Sequence, residues 1–385
     1  MKICVVTGSR AEYGLFKPLL EALKSDDAFE LQLVATAMHL SPTFGSTYQE
    51  IEADGFTLDA KVDMLLASDS EVSIAKSVGI GTFSIAEALS RLAPDSVMLL
   101  GDRFETLAAA QAAMLQRIPV LHIHGGEITE GAVDDAIRHA ITKMSYLHFA
   151  STDEYRNRII QLGEHPDRVF NVGALGAQSA ANLLPLSNAE LESDLGIGLK
   201  RPLFLSTYHP ETLADRKPHD ALQDMLDTFA EFPQATIVLT YPNADAAGQT
   251  LIPLLERFAE QHQDRVSLNR SLGQKRYLSL LQYADVVVGN SSSGIIEAPS
   301  LGTPTVNIGA RQDGRVMADS VVCCEDNKQA IVDAIQRCLS KEFQSMAANV
   351  TNPYGQGDTC QRIVDTLKRV QLGSGVKQFH DLDPH

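Results

Sequence analysis

Short apolar runs alternate with longer amphipathic stretches along the first half of the chain. The apolar runs predict strands at Lys2–Thr7, Glu30–Thr36, Ser96–Leu100, Pro119–Ile123, Tyr146–Ala150 and Arg168–Val172. The stretches between them predict helices at Glu12–Lys24, Ile74–Leu92, Phe104–Gln116 and Asp134–Lys143. Several runs are apolar at consecutive positions, which is typical of strands covered by helices on both faces. The pattern predicts a doubly wound α/β domain.

The pattern is interrupted between Leu184 and Arg201, where turn formers and charged residues accumulate. It then resumes with the runs PLFLST, ATIVLTYP, DRVSLN, ADVVVGN, PTVNIG and SVVCC, which predict a second α/β domain. A last helix over Thr359–Val370 carries an apolar stripe and needs a partner surface. A chain of 385 residues is long for one core, so we predict domains at 1–182 and 183–357 and a terminal segment at 358–385.

The overall charge narrows the set of partners. The net charge is −17 and no cluster of lysine and arginine interrupts it, which argues against binding to nucleic acid or to an anionic membrane. A small anionic ligand held by a few arginines remains compatible with this charge. No apolar run approaches the ~20 residues that span a bilayer, and the amino terminus lacks a signal-peptide pattern. The protein is therefore predicted to be cytoplasmic.

The five cysteines show no CxxC spacing. We interpret them as thiols in a reducing compartment, because a disulfide framework or a zinc site has little support from this spacing.

The conspicuous polar residues follow the predicted strands. Arg10 lies in the turn after the first strand, Asp102 and Arg103 follow Ser96–Leu100, and His209 follows the run PLFLST. Ligands of open parallel sheets bind outside the carboxyl ends of the strands. The sequence therefore predicts a site in a cleft bounded by these strand ends.

The run Asn290, Ser291, Ser292, Ser293, Gly294 occupies a strand-to-helix turn. Small side chains and unpaired amides at a helix start suit a phosphate, and Glu297, about one turn further on, suits ribose hydroxyls. An ordinary serine N-cap is the alternative interpretation. Arg311 follows the next strand, although a single arginine there is more often a surface residue.

The stretch HIHGGEITEGAVDDAIRH allows two kinds of chemistry. His122 and His124 share a strand face, as in some metallohydrolases, but the other histidines lack ligand-like neighbours, so a structural role is preferred. Asp102, Glu127 and Asp134 are expected on the same side of the sheet, where clustered acids raise one another's pKa values and transfer protons. For Asp134 alone, capping of a helix is an equally good explanation.

Together, the motifs TGSRAEYG, GDRFE, HIHGGE with DDAIRH, STYHPET and GNSSSGIIEAPSLGTPTVNIGARQDGR resemble the hydrolysing UDP-N-acetylglucosamine 2-epimerases. These enzymes release UDP and free N-acetylmannosamine on the route to sialic acid. Relatives that act on UDP-2,4-diacetamido-2,4,6-trideoxyglucose, for legionaminic acid, share the motifs. The non-hydrolysing 2-epimerases carry a lysine where this chain has Leu15, and arginines where it reads HPET, so the resemblance favours the hydrolysing branch.

The resemblance implies two Rossmann-like domains that face a central cleft, the glycosyltransferase-B type of fold, with the terminal helix packed back on the first domain. It implies a UDP-sugar substrate, no metal, no cofactor, and a homodimer or homotetramer. The residues that match the family's catalytic positions are Asp102, Glu127, Asp134, Arg138 and His209. Those that match its nucleotide contacts are Arg10, Arg103, Ser291, Ser292, Glu297 and Arg311, within the run that also contains Asn290, Ser293 and Gly294.

The implied reaction begins as UDP leaves C1 and a carboxylate removes the acidified C2 proton, which gives a 2-acetamidoglycal. Water then adds at C1 while a proton returns to the opposite face of C2, so more than one acid is needed. A glycosyltransferase of the same fold needs no second proton donor. A non-catalytic UDP-sugar sensor needs no acids at all.

Overall fold

The computed structural model describes residues 1–68, 70–129, 133–211, 216–242, 248, 250–373 and 376–382. The strands are β1 (Lys2–Thr7), β2 (Glu30–Thr36), β3 (Ala60–Val62), β4 (Ser96–Leu100), β5 (Val120–Ile123), β6 (Leu147–Ala150), β7 (Val169–Asn171), β8 (Leu203–Thr207), β9 (Thr236–Thr240), β10 (Val266–Asn269), β11 (Val286–Gly289), β12 (Thr305–Ile308) and β13 (Val321–Cys324).

The helices are α1 (Arg10–Lys24), α2 (Tyr48–Ala53), α3 (Glu71–Leu92), α4 (Phe104–Leu115), α5 (Val133–Met144), α6 (Asp153–Gln161), α7 (Leu175–Ala181), α8 (Asn188–Leu195), α9 (Pro218–Thr228), α10 (Ile252–Gln261), α11 (Gly273–Tyr283), α12 (Ser293–Ile296), α13 (Lys328–Leu339), α14 (Lys341–Ala347) and α15 (Thr359–Arg369). Single 3-10 turns lie at Ala37–Leu40, Pro42–Phe44, Pro166–Arg168, Phe229–Glu231 and Ala298–Leu301.

The chain divides into two compact units, each built on one parallel sheet. The first unit comprises Met1–Glu127, Val133–Leu175 and Asp358–His385, and the second comprises Ile128–Ala132 and Gly176–Gly357. The first sheet has the order β3-β2-β1-β4-β5-β6-β7 and the second β10-β9-β8-β11-β12-β13. In both, the strand order reverses beside the first strand, which is the doubly wound arrangement. The predicted α/β class, with two Rossmann-like units, is confirmed.

Both faces of the first sheet are buried. Ile3 and Val5 of β1 belong to one apolar cluster together with Phe16 of α1, whereas Cys4 and Val6 belong to a cluster on the other face. Alternate side chains of a strand point to opposite faces, so the continuous apolar run of β1 feeds two cores.

The terminal helix α15 supplies side chains to the core of the first unit. Cys360, Ile363, Val364 and Leu367 join the cluster of Phe16, and Thr359 Oγ1 donates a hydrogen bond to the carbonyl of Ala174 at 3.2 Å. The apolar stripe predicted for this helix is therefore buried, and its partner includes α1.

The second unit repeats this arrangement. Phe204 of β8 packs with Phe229 and Phe232 on one face, while Leu205 packs with Leu281 of α11 on the other. Each face is covered by helices, as expected for an all-parallel sheet.

The ends of most predicted strands agree with the structure to within a residue or two, whereas β3 and helices such as α2, α6 and α8 were not among the predicted elements. β3 is only three residues long, too short for a period to be recognised. The interruption predicted at Leu184–Arg201 contains helix α8, whose capping box joins Ser187 and Glu190. This S-x-x-E signature was present in the sequence and indicates a helix start.

Helix α3 is long and apolar enough to cross a membrane by length and composition. Its inner face, however, packs in the core of the first unit through Ile85 and Leu89, and it contacts α4 along its length. We therefore assign α3 to the folded unit. All five cysteines are free thiols.

Candidate active site

In both units, several of the polar residues singled out above, among them Arg10, Asp102 and His209, follow the strands at which the strand order reverses. In the first unit this place lies between β1 and β4, and in the second between β8 and β11. The carboxyl ends of these strands leave a crevice between their outgoing loops, which is where open α/β sheets bind ligands.

The turn after β1 brings a buried carboxylate beside the predicted cation. Ser9 caps α1 by accepting a hydrogen bond from the Glu12 amide, and Arg10 is the first residue of the helix. Arg10 is exposed and pairs with Glu50 at 2.9 Å. Glu12 is buried and accepts a hydrogen bond from the Gly8 amide at 2.7 Å. Burial raises the pKa of Glu12 to about 8, against the opposing effect of that hydrogen bond.

The loop after β4 carries Asp102 and Arg103. Arg103 Nε donates to Glu105 Oε1 at 2.6 Å, and Glu105 is 1% exposed. A Cβ atom on Gly8 would lie 2.4 Å from Glu105 Cγ, so only glycine allows the β1 turn to approach this carboxylate. The ends of β1 and β4 are thereby packed together.

The loop after β5 holds Glu127 inside the first unit. Gly126 has a φ of +77°, and a Cβ atom there would lie 2.4 Å from the carbonyl oxygen of Tyr155. This close approach explains the second glycine of the HGGE motif. Glu127 is 3% exposed, and Ser151, directly after β6, donates to its Oε1 at 2.9 Å.

Arg138 of α5 joins the loops of two predicted residues, Asp102 and Glu127. It is 3% exposed, and it donates to the Glu127 carbonyl at 2.9 Å and to Asp135 Oδ1 at 3.2 Å. Its other terminal nitrogen forms an ion pair with Asp102. A buried guanidinium with this set of acceptors fixes the two acidic loops relative to α5.

Asp134 lies in the first turn of α5, next to residues 130–132, which are outside the described part of the chain. The Asp134 side chain is exposed, but neighbouring protein atoms remove part of the water around its carboxylate. This desolvation, followed by the charge of Asp102, raises the pKa of Asp134, and Arg103 and Arg138 oppose the shift only in part. The predicted acids therefore differ in their environments: Glu127 is buried and hydrogen-bonded, Asp102 is paired, and Asp134 favours holding a proton more than an ordinary aspartate does.

The two histidines of the HIH motif have separate structural partners. His122 is fully buried, with Nε2 2.8 Å from the Gly101 carbonyl, and burial lowers its pKa to about 3. His124 lies beyond the end of β5 with a φ of +65°, so the alternation of the strand does not extend to it. Its Nε2 accepts from the Leu175 amide at 3.4 Å. Among the described residues, no group of three or more His, Cys, Asp or Glu side chains is placed to hold a metal ion.

In the second unit, Asn290 and His209 are locked together. Asn290 Oδ1 accepts from the His209 amide at 2.7 Å, and its Nδ2 donates to the His209 carbonyl at 2.8 Å. His209 is 9% exposed, and burial, followed by the charge of Arg311, lowers its pKa to about 3. This lowered pKa favours a neutral His209 imidazole near pH 7.

The serine-rich turn differs in one respect from its prediction. Helix α12 has only one turn, and its Ser292 cap forms no side-chain hydrogen bond. A helix this short contributes little macrodipole, so the amides and hydroxyls of the turn are its main donors. Gly294 packs tightly against Thr305, where a Cβ atom would lie 2.6 Å from Cγ2.

Glu297 and Arg311 lie near this turn in the second unit. A Cβ atom on Gly176 of α7 would lie 2.2 Å from Glu297 Oε1, so that carboxylate packs against the backbone of α7. Arg311 donates to the Asn290 carbonyl at 3.1 Å, and its amide donates to Glu211 at 3.2 Å. Asn290 is therefore hydrogen-bonded to both His209 and Arg311.

Three groups in these sites were not singled out from the sequence: Glu12, Glu105 and Ser151. Ser151 could have been found from the sequence, because a polar residue directly after a predicted strand is expected at the edge of the sheet where ligands bind. Glu12 and Glu105 fall within quoted motifs, but only burial distinguishes them from ordinary first-turn acids.

The fold defines the class: a two-unit, Rossmann-like α/β protein, whose first unit places a buried arginine among carboxylates near the carboxyl ends of its strands. A family model described as UDP-N-acetylglucosamine 2-epimerase matches residues 21–368. The chain belongs to this family.

Individual relatives agree. The chain is 39% identical over 383 residues to the GDP/UDP-N,N'-diacetylbacillosamine 2-epimerase (hydrolyzing) of Campylobacter jejuni, with 99% of each chain covered. It is 34% identical over 378 residues to the UDP-N,N'-diacetylbacillosamine 2-epimerase (hydrolyzing) of Legionella pneumophila, with 97% of each covered. A crystal structure of a putative UDP-N-acetylglucosamine 2-epimerase from Listeria monocytogenes superposes with a TM-score of 0.80 at 21% identity, covering 95% of each chain. The predicted family and fold are confirmed.

Proposed function

We propose that the protein is a hydrolysing 2-epimerase that converts a UDP-linked 2-acetamido sugar and water to UDP and the free 2-epimerised sugar. The observation that carries the proposal is the cluster around Arg138, which ties Asp102 and the Glu127 loop to the helix of Asp134. Membership of the epimerase family supports the same assignment.

The chemistry needs proton transfer at two faces of C2. As the C1–O bond breaks, its electron pair leaves with UDP and the C2 proton becomes acidic enough for a carboxylate to remove. The resulting glycal takes up water at C1, and an acid returns a proton to the other face of C2. Asp134, whose pKa is raised, is suited to donate the returning proton, and the paired Asp102 and the buried Glu127 are the other candidates for proton transfer.

In the second unit, the predicted role is to hold the nucleotide. Asn290, the Ser291–Ser293 turn, Gly294 and Glu297 supply donors and acceptors of the type that phosphate and ribose require. A neutral His209 donates a hydrogen bond to a leaving phosphate, and the positive charge there is left to arginines.

The identity of the UDP-sugar depends on the substituents at C4 and C6 of the sugar. The relatives at 39% and 34% identity are named for N,N'-diacetylbacillosamine, which is 2,4-diacetamido-2,4,6-trideoxyglucose. We therefore favour UDP-2,4-diacetamido-2,4,6-trideoxyglucose as substrate and keep UDP-N-acetylglucosamine as the second candidate. A route to legionaminic or sialic acid is the corresponding place in metabolism.

The decisive experiment supplies each nucleotide sugar separately in D₂O and follows the products by NMR. We expect UDP and a free sugar of inverted C2 configuration with one deuteron at C2, because proton removal and return exchange that position with solvent. The Asp102→Asn protein is the matched control. A UDP-linked epimer as the accumulated product would assign the chain to the non-hydrolysing reaction. Release of UDP only when an acceptor alcohol is added would make it a glycosyltransferase instead.

The predicted assignment of roles to residues 1–182, 183–357 and 358–385, and the homodimer or homotetramer, stay proposals. Exposed apolar side chains support self-association, and they include Val72, Ile80 and Phe83 of α3 and Leu115 of α4. Sedimentation velocity of the wild-type protein and of Phe83→Glu tests this, since a monomeric wild-type protein would exclude it.

A further inference from the structure

The end of the chain after α15 returns to the first unit and enters a buried ionic cluster. We call residues 376–382 the C-terminal strap. Lys377 of the strap is 15% exposed at its side chain, and its ammonium donates to Glu164 Oε2 at 2.6 Å. Glu164 is fully buried and also binds Lys143 of α5 at 2.6 Å and His148 of β6 at 3.1 Å. Through these three partners, the buried Glu164 carboxylate links the strap to α5 and to β6.

Other contacts of the strap fix its course. The His380 amide donates to the Gly163 carbonyl at 3.0 Å, and the His380 ring meets the ring of His165 edge-on at 5.1 Å between centroids. Lys143 lies over the ring of Phe379 at 5.0 Å. The strap thus contacts α5 and the loop after α6 through side chains as well as backbone.

Lys377 also caps the carboxyl end of α5. Its ammonium donates to the Ser145 carbonyl at 2.6 Å and lies 3.5 Å from the Thr142 carbonyl. The Ser145 carbonyl directly follows α5, and the Thr142 carbonyl lies in its last turn, where it also accepts from the Ser145 amide at 3.1 Å. A cation at this end also interacts favourably with the helix dipole.

The same helix carries the acid cluster at its other end. Thr142 Oγ1 donates to the Arg138 carbonyl at 3.0 Å and lies 3.4 Å from His122 Nδ1. His122 in turn contacts the carbonyl of Gly101, the residue before Asp102. The strap and the acids are therefore connected both through α5 and through the buried histidine.

We propose that Lys377 is a positioning residue: by clamping the carboxyl end of α5 to Glu164, the strap holds Arg138 and Asp134 in register with Asp102 and Glu127. The expected effect on turnover rests on the proposed function. The contacts of Lys377 with Glu164 and with the end of α5 do not depend on it. Lys377 touches none of the reacting groups.

The test compares Lys377→Met, which keeps the stem and removes the charge, with Lys377→Arg, which keeps the charge. Lys341→Met, at an exposed lysine of α14 in the second unit, is the matched control. We expect Lys377→Met to lower kcat about 10-fold or more with KM and UDP affinity within about twofold, because small displacements of catalytic groups cost rate before binding. Lys377→Arg restores most of kcat, and Lys341→Met changes nothing.

A second measurement needs no turnover. Amide hydrogen exchange in Ala140–Met144 is expected to speed up about 10-fold or more in Lys377→Met, while β11 of the second unit exchanges as before. Unchanged exchange in α5 overturns the clamp, even if neither nucleotide sugar proves to be a substrate. Faster exchange with unchanged kcat overturns the positioning role and leaves the proposed reaction intact.

Discussion

Replacing Glu164 by glutamine is expected to remove a pH-dependent part of the stability of the first unit. Burial alone raises the pKa of this carboxyl group, but hydrogen bonds and charges from His148, Lys143 and Lys377 outweigh it and lower the pKa from 4.5 to about 2. Because the folded-state pKa is depressed, the stabilisation is complete above pH 4.5 and is lost as the pH falls toward 2.

The size follows from the shift. At about 1.4 kcal/mol per pKa unit, the whole shift corresponds to at most roughly 3 kcal/mol, and the contribution at pH 7 is smaller because burial lowers the pKa of His148 and leaves it uncharged there. At pH 4 the unfolded state already binds a proton, and roughly 1 kcal/mol of this contribution is gone. Glutamine keeps the shape but cannot ionise, so the gap in stability between wild-type protein and Glu164→Gln is largest at neutral pH and shrinks by roughly 1 kcal/mol at pH 4.

Urea unfolding at pH 7, 5.5 and 4, followed by far-UV circular dichroism, measures this gap. Circular dichroism is the suitable probe because the chain has no tryptophan. Glu260→Gln, at an exposed position of α10, is the control and should leave the gap near zero at each pH. A gap for Glu164→Gln that is constant from pH 7 to 4, or that widens toward pH 4, would refute the reasoning.

Three further predictions concern the active site. Asp102→Asn, Glu127→Gln and Asp134→Asn should each lower turnover at least ~10²-fold while the melting temperature and UDP binding stay near wild type, and near-normal turnover for Asp134→Asn would assign that acid to the scaffold. Glu297→Ala should weaken UDP binding in calorimetry by roughly one to two decades, because a hydrogen bond to a charged acceptor is worth ~1.5–3 kcal/mol, and equal affinity would remove Glu297 from the site. Activity should survive exhaustive EDTA treatment, whereas a loss that zinc or manganese reverses would revive the metallohydrolase interpretation.

The sequence predicts those parts of the fold that depend on local pattern. β1, β2 and β4 have the predicted bounds, because a buried strand of a parallel sheet is a continuous apolar run between turns. The location of Asp102 and His209 at strand ends follows from the same pattern. Parallel strands bring their carboxyl ends to one edge, so residues distant in sequence are expected together before any contact is known.

Contacts that depend on burial were not predictable in this way. The three acceptors of Arg138 and the elevated pKa of Glu12 arise from how loops pack, and no spacing rule encodes them. Lys377 and Glu164 are separated by 213 positions, and Glu164 lies in a loop with no motif. The length of α12 was not predictable either. The serine–glycine run indicates a turn that starts a helix, but it does not determine that this helix ends after four residues.

The arginines of the first unit cannot all serve the substrate in the same way. Arg138 is buried, and its acceptors are Asp102, Asp135 and the Glu127 carbonyl, so transferring it to a phosphate would leave carboxylates uncompensated at a cost of several kcal/mol. Arg10 pairs with Glu50 at the surface, where both side chains are close to half exposed and such a pair is worth about 0–1 kcal/mol. Arg10 can therefore exchange its partner for an anionic ligand at little cost. In a chain of net charge −17, Arg10 is thus available for the anionic ligand that the proposed function requires, while Arg138 stays with its carboxylates.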